Sequence, residues 1–240
     1  MRAFGLNLLV GLFTSSLVIS AGCSSSTEVT PPEAVATTAP VAAPAATTYR
    51  AGGTDDEGQA FAHVKLPEVT KQPNPTVVLH TSQGDIKLLL NAEKAPRTVY
   101  NFVTYVNNGH YRDTIFHQVE KGYALLGGGF TEDLVEKDAR YAIPSEANNG
   151  LKNKRGAIAM ARRLDDPDSA TCQFIINLSD NAGFDHQGDE PDKYGFCVFG
   201  QVVDGWDTLE RIASVEVKDT EQFARLPVTP VKINSVQTFR

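Results

Sequence analysis

From residue 76 onward the chain is a series of short apolar runs separated by glycines and polar turns, the pattern of strands rather than helices. Thr76-Val-Val-Leu-His-Thr81 and Asp85-Ile-Lys-Leu-Leu-Leu90 are two such runs, and Ser82-Gln-Gly84 between them predicts a hairpin turn. The period then changes. Val99, Phe102, Val103 and Val106 recur at i, i+3, i+4 and i+7, with Pro96 suited to a first turn and Gly109 to a stop, which predicts a helix. Ile115, Phe116 and Val119, a Lys121-Gly122 turn and Tyr123-Ala-Leu-Leu126 predict a second hairpin. The glycines at 127, 128 and 129 mark a sharp exit from its second strand. Further strands are expected over 157–161, 173–178, 196–202 and 231–236. A second helix is expected to start with Asp204 as N-cap and to bury Trp206, Leu209 and Ile212. The sum is a mainly β domain of eight strands and two helices.

The first 72 residues read differently. Arg2 and the apolar stretch 8–19, too short for a stable membrane span, have the form of an export signal over residues 1–23. The segment ends Ile19-Ser-Ala-Gly-Cys23, and Ala21-Gly22-Cys23 resembles the end of a bacterial lipobox, although Ser20 stands where leucine is usual. The resemblance implies a lipidated Cys23, and more than one acyl chain there would give a stable anchor. Residues 24–72 are rich in Ser, Thr, Ala and Pro and have little apolar surface to offset ordering entropy, so a disordered tether is expected. The folded domain is expected over 73–240.

Composition narrows the partners. Lys and Arg number 22 against 29 Asp and Glu, a net charge of −7, and no basic run occurs, which argues against nucleic acid. No Lys-Ser or Lys-Thr follows the glycine triplet, which excludes a phosphate cradle. His80, His110 and His186 lack ligand spacing, and Asp165-Asp-Pro-Asp168 lacks a calcium-loop pattern and reads as a solvated turn, so no metal or other cofactor is expected. Cys172 and Cys197 read as small buried hydrophobes, with a disulfide left open by export.

The stretch Phe116-His-Gln-Val119, then Gly122-Tyr-Ala-Leu-Leu-Gly-Gly128, resembles the core of the cyclophilin-type peptidyl-prolyl isomerases. Glu146-Ala-Asn-Asn-Gly-Leu-Lys-Asn153, Arg155-Gly-Ala-Ile-Ala-Met-Ala161, Ser169-Ala-Thr-Cys-Gln-Phe-Ile-Ile-Asn177 and Val198-Phe-Gly-Gln-Val202 match in family order. The resemblance implies a closed eight-stranded antiparallel β-barrel capped by two helices. It also implies rotation about Xaa-Pro amides, with Xaa-Pro segments of exported or envelope proteins as substrates.

Carried over position by position, Gln118 stands where the family has its catalytic arginine. The substrate-binding positions fall on Tyr123, Ala124, Leu126, Ala159, Met160, Ala161, Gln173, Ile175, Phe184 and Phe196. Tyr123, Ile175, Phe184 and Phe196 could equally be core, and His117 reads as a hydrogen-bonded structural histidine. Arg112, Arg162 and Arg163 are candidates for a replacement charge, Arg162 first among them. Two readings follow: a lipid-anchored, monomeric prolyl isomerase facing the periplasm or cell exterior, or a weakly active or inactive proline-peptide-binding module of the envelope.

Overall fold

A computed structural model describes residues 74–239; the expected signal over 1–23, Cys23 and the expected tether over 24–72 lie outside the described residues. Eight strands close into an antiparallel barrel: β1 (Thr76–Thr81), β2 (Gly84–Leu90), β3 (Thr114–Glu120), β4 (Ala124–Thr131), β5 (Ala157–Met160), β6 (Phe174–Asn177), β7 (Val198–Asp204) and β10 (Val231–Phe239). Their order around the barrel is β1-β10-β3-β4-β6-β5-β7-β2. A separate two-stranded piece, β8 (Val217–Lys218) with β9 (Leu226–Pro227), was not expected from the sequence.

Alternation explains the barrel. In β2, Ile86, Leu88 and Leu90 are fully buried while Asp85 and Lys87 are exposed, as a period of two on a half-buried strand requires. Inward residues Leu79, Phe116, Leu125, Ile158, Phe174, Ile176 and Phe199 form the main core. Helix α1 (Pro96–Asn107) contributes Val99, Phe102, Tyr105 and Val106, and α2 (Trp206–Ala213) contributes Leu209 and Ile212, so both helices rest on that core.

Pro96 opens α1 as expected, whereas the start of α2 differs from expectation. The α1 N-cap, Ala95, offers no side-chain cap; instead the Glu146 carboxylate accepts from Arg97 N (3.1 Å), Thr98 N (2.9 Å) and Thr98 Oγ1 (2.8 Å). A negative group at a helix N-terminus is stabilised by the exposed N–H groups and the helix dipole. It also moors the polar excursion between β4 and β5. At α2 the cap is Gly205, at φ 90°, and not Asp204. The glycines 127–129 lie within β4 rather than at its exit. A Cβ on Gly128 would meet Phe174 and Tyr111 at 2.8 Å, so the glycine lets two rings reach the strand.

Candidate functional site

The barrel wall has a second apolar cluster on its outward side. In β4, Leu125 enters the main core, so Ala124 and Leu126 point the other way. Directly paired residues share a face, and the pairings Gln118–Leu126, Leu126–Ile175, Ile175–Ala159 and Ala159–Val198 run one row across β3, β4, β6, β5 and β7. Gln118 sits at the end of this row, 6% exposed, and its amide has no hydrogen-bond partner among the described residues. Glu120, paired with Ala124, lies on the same face two residues on.

Three rings stand over the row. Tyr123 and Phe184 are 5.3 Å apart between centroids, and Phe184 and Phe196 are 4.7 Å apart, each in edge-to-face contact. Tyr123 is half-buried, and burial holds its phenol above the ordinary range. Tyr123 ends the turn between β3 and β4, and Phe184 ends a 3₁₀ turn (Ala182–Phe184) in the long charged loop after β6.

A buried amide network fixes these rings through their backbone. Asn153 Nδ2 donates to Phe184 O (3.0 Å) and Phe196 O (3.3 Å). Asn177 Nδ2 donates to Asn153 Oδ1 (3.1 Å) and Ala157 O (3.2 Å). Asn181 Nδ2 donates to Asn177 Oδ1 (2.7 Å) and Tyr123 O (3.0 Å). Buried polar groups in a satisfied network are rigid, because breaking any member leaves a costly orphan. Gly195, at φ 78°, completes the mooring: a Cβ there would lie 2.7 Å from Phe184 O.

Gln173 flanks the row. Its Cγ packs where a Gly129 Cβ would be, at 2.6 Å, and its Oε1 is buried without a partner. A carboxamide oxygen so placed is an acceptor waiting for an N–H.

The profile described as "Cyclophilin type peptidyl-prolyl cis-trans isomerase/CLD" matches residues 76–238. The chain belongs to the cyclophilin family. It is 45% identical over 162 residues to peptidyl-prolyl cis-trans isomerase cyp18 of Streptomyces antibioticus, covering 68% of this chain and 97% of that one. It is 43% identical over 160 residues to peptidyl-prolyl cis-trans isomerase B of Escherichia coli, covering 67% and 97%. Among solved structures it resembles a Cryptosporidium parvum cyclophilin-type isomerase crystallised in the presence of the dipeptide Ala-Pro. The TM-score there is 0.56 and the identity 23%, over 69% of this chain and 99% of that one.

Within this cyclophilin the ten substrate-binding positions do not behave alike. Ala124, Leu126, Ala159, Ile175, Phe184 and Phe196 form one cluster, with Tyr123 and Ala161 packed against it. Met160 departs from the set: its side chain is in the main core at 1% exposure, and its N–H is spent on Cys197 O. The Ala161 N–H is likewise spent on Gln173 O. Cys172 and Cys197 are free, buried thiols, and burial pushes each up to about 12.

Two further expectations need correction. Arg162 is buried and carries no spare charge for a substrate: Nε donates to Gly195 O (2.6 Å), Nη1 to Arg163 O (2.6 Å) and Leu164 O, and Nη2 to Pro191 O (2.8 Å). It ties down the loop that carries Phe196, over whose ring its guanidinium lies at 5.4 Å. His117 is structural but not hydrogen-bonded. Both ring nitrogens are buried without partners, between Phe130 (4.9 Å) and Phe223 (5.8 Å), and burial lowers its pKa to about 4.

A small cavity of about 10 Å³ lies apart from the row, lined by Thr98, Ile143, Ser145, Met160, Arg162, Pro167, Ala170 and Cys197. It has room for about one water and none for a peptide. The Asn153–Asn177–Asn181 network escaped sequence reasoning, since three separated asparagines carry no periodic signal.

Proposed function

We propose that the chain is a peptidyl-prolyl cis-trans isomerase whose rate is limited by a neutral donor at Gln118. Rotation about an Xaa-Pro amide faces a barrier of about 20 kcal/mol, because the C–N bond has partial double-bond character. The reaction needs no nucleophile. It needs a site that binds the twisted amide better than either planar form. As resonance is lost, the prolyl nitrogen gains a lone pair and becomes an acceptor.

The observation that carries the reading is one face. An apolar floor (Leu126, Ile175, Ala159) and three rings suited to a pyrrolidine share it with an unpartnered carboxamide at Gln118. Gln173 flanks this face, and turning its buried carboxamide outward would bring an acceptor to a flanking peptide N–H. A charged donor makes roughly twice as strong a hydrogen bond as a neutral one. Losing a transition-state donor outright typically costs about 3–4 kcal/mol. A glutamine retains part of that, so turnover is expected below that of arginine-bearing relatives.

A coupled assay with a Xaa-Pro peptide tests this. Gln118→Arg should raise kcat/KM at least tenfold, about 1.4 kcal/mol, and Gln118→Ala should lower it. Peptide binding without turnover, in wild type and in Gln118→Arg alike, would favour the binding-module reading, whose support is the same neutral side chain.

The clients are Xaa-Pro segments of exported or envelope proteins, and the domain acts as a monomer facing the periplasm or cell exterior. What supports this is the apolar stretch 8–19 before Ala21-Gly22-Cys23 and the Ser/Thr/Ala/Pro-rich tether after it. Cys23→Ala should release the full-length chain from membranes. Mass spectrometry finding an unmodified mature N-terminus elsewhere refutes the anchor.

A further inference from the structure

Gln118 offers an N–H without a charge, so the source of positive potential at this face is open. The segment between α2 and β10 answers it. Phe223 and Leu226 are buried against Ile115 and Phe130, which fastens the β8–β9 hairpin to the barrel beside β3. Between them Arg225 takes a left-handed φ of 54°. Its backbone is held at both ends: its N–H donates to Asp219 Oδ1 (2.8 Å), and its carbonyl accepts from Val119 N (3.1 Å). Val119 is the residue after Gln118.

A non-glycine residue at positive φ is uncommon and is held there by its surroundings. Here the conformation directs the arginine side chain to β3. Nε lies 3.4 Å from Glu120 Oε2, buried and without a hydrogen bond, and the terminal guanidinium nitrogens have no hydrogen-bond partner among the described residues. Glu120 shares the outward face with Gln118, and two residues of strand span about 7 Å. The guanidinium is therefore parked within a side chain's length of the carboxamide. At 43% exposure the side chain is open to a peptide. Arg162, a buried cation, is spent on carbonyls.

We infer that Arg225 is a substrate-contacting residue of this site: Gln118 supplies one N–H and Arg225 the charged N–H donors, with the Glu120 carboxylate offsetting part of its field, a division of what one arginine on β3 would do. Its unpartnered terminal N–H groups reach the bound Xaa-Pro amide, where partial charge develops as resonance is lost. Glu120 holds the guanidinium in place through the Nε side and leaves those terminal N–H groups free. This inference rests on the isomerase reading above and says which side chains carry it out.

The test is a double-mutant cycle on the folded, full-length protein with a Xaa-Pro peptide. Arg225→Asn, which tolerates positive φ, should lower kcat/KM about tenfold with little change in thermal midpoint. Arg225→Gly, which adopts that φ without strain, should match it, and Arg225→Lys should retain most of the activity. Added salt should depress wild-type kcat/KM and leave Arg225→Asn almost unmoved, because only the former depends on an exposed charge. Gln118→Arg should gain more in the Arg225→Asn background than in wild type, since one charge then replaces the other.

An active wild type indifferent to Arg225→Asn and Arg225→Gly overturns the inference and leaves the isomerase reading standing. A strictly additive cycle overturns it as well. A wild type that turns over no Xaa-Pro peptide overturns both.

Discussion

Two aromatic clusters flank β3, and they do opposite things. On one side Phe130 and Phe223 enclose His117, with ring centroids 4.9 Å apart between the two phenylalanines. On the other, Phe184 bridges Tyr123 and Phe196 at similar spacings. By composition the two are alike. They differ in what holds them. The first is sealed by apolar burial alone and traps an imidazole with both nitrogens unpartnered. The second is moored by asparagine side chains that grip the backbone carbonyls of its rings, and Tyr123 at its end is only half-buried. Two clusters of similar rings are thus fixed by different means.

The largest expected effect breaks this contrast or secures it. Phe130→Ala should cost about 3–5 kcal/mol of stability, with kcat/KM of the protein that remains folded falling less than in Phe184→Ala. Phe184→Ala should lower both the urea midpoint and kcat/KM. Equal losses of activity in the two variants would erase the distinction between the clusters.

Next in size is the response to acid. His117 in the folded protein titrates near 4, below its ordinary 6.5. Above pH 6.5 it is neutral in both states and contributes no pH dependence. Below that the unfolded chain gains a proton the native state refuses, so stability falls between about pH 6.5 and 4, by about 3 kcal/mol. His117→Leu should flatten this part of the curve, measured by denaturant midpoints across pH. A wild-type profile that already lacks the slope would show that the ring is not sealed.

The smallest effect sharpens the other side. Asn153→Ala removes the donor to Phe184 O and Phe196 O, and should cost about 1–3 kcal/mol. Its kinetic signature should be a raised KM with kcat less affected, because the rings lose their position rather than the site losing a donor. A fall in kcat alone would argue against a positioning role.

Much of the molecule was legible before any coordinates. Period-two runs such as Ile86–Leu88–Leu90 mark the strands, and strand parity sets the floor residues Leu126, Ile175 and Ala159 on one face, whereas the rings of Tyr123, Phe184 and Phe196 lie outside the strands and are legible only through the family resemblance. What stayed hidden depends on distance in sequence. Glu146 caps a helix 48 residues away through Thr98, and no local capping pattern announces it. β8 and β9 have two residues each, too few for any period, so the hairpin that presents Arg225 was invisible. A buried polar group usually has a hydrogen-bond partner, and His117 is an exception that no local sequence pattern signals. Arg162 looked like a spare charge because the carbonyls that consume it belong to a loop more than twenty residues on, at Pro191 and Gly195.

The last strand of the barrel, β10, pairs with both β1 and β3, joining Thr76 to Phe239 at one edge and Phe116 to Val231 at the other. The wall therefore has a gap exactly one strand wide until the final element arrives. While a ribosome still holds that segment, β1 and β3 present bare edges, the surfaces on which chains associate with one another. Closure also joins contacts at nearly the greatest separation the domain permits, which makes it a slow step. A domain read as assisting the folding of others thus has a vulnerable interval of its own, and its length is set by how soon nine residues can slot into place.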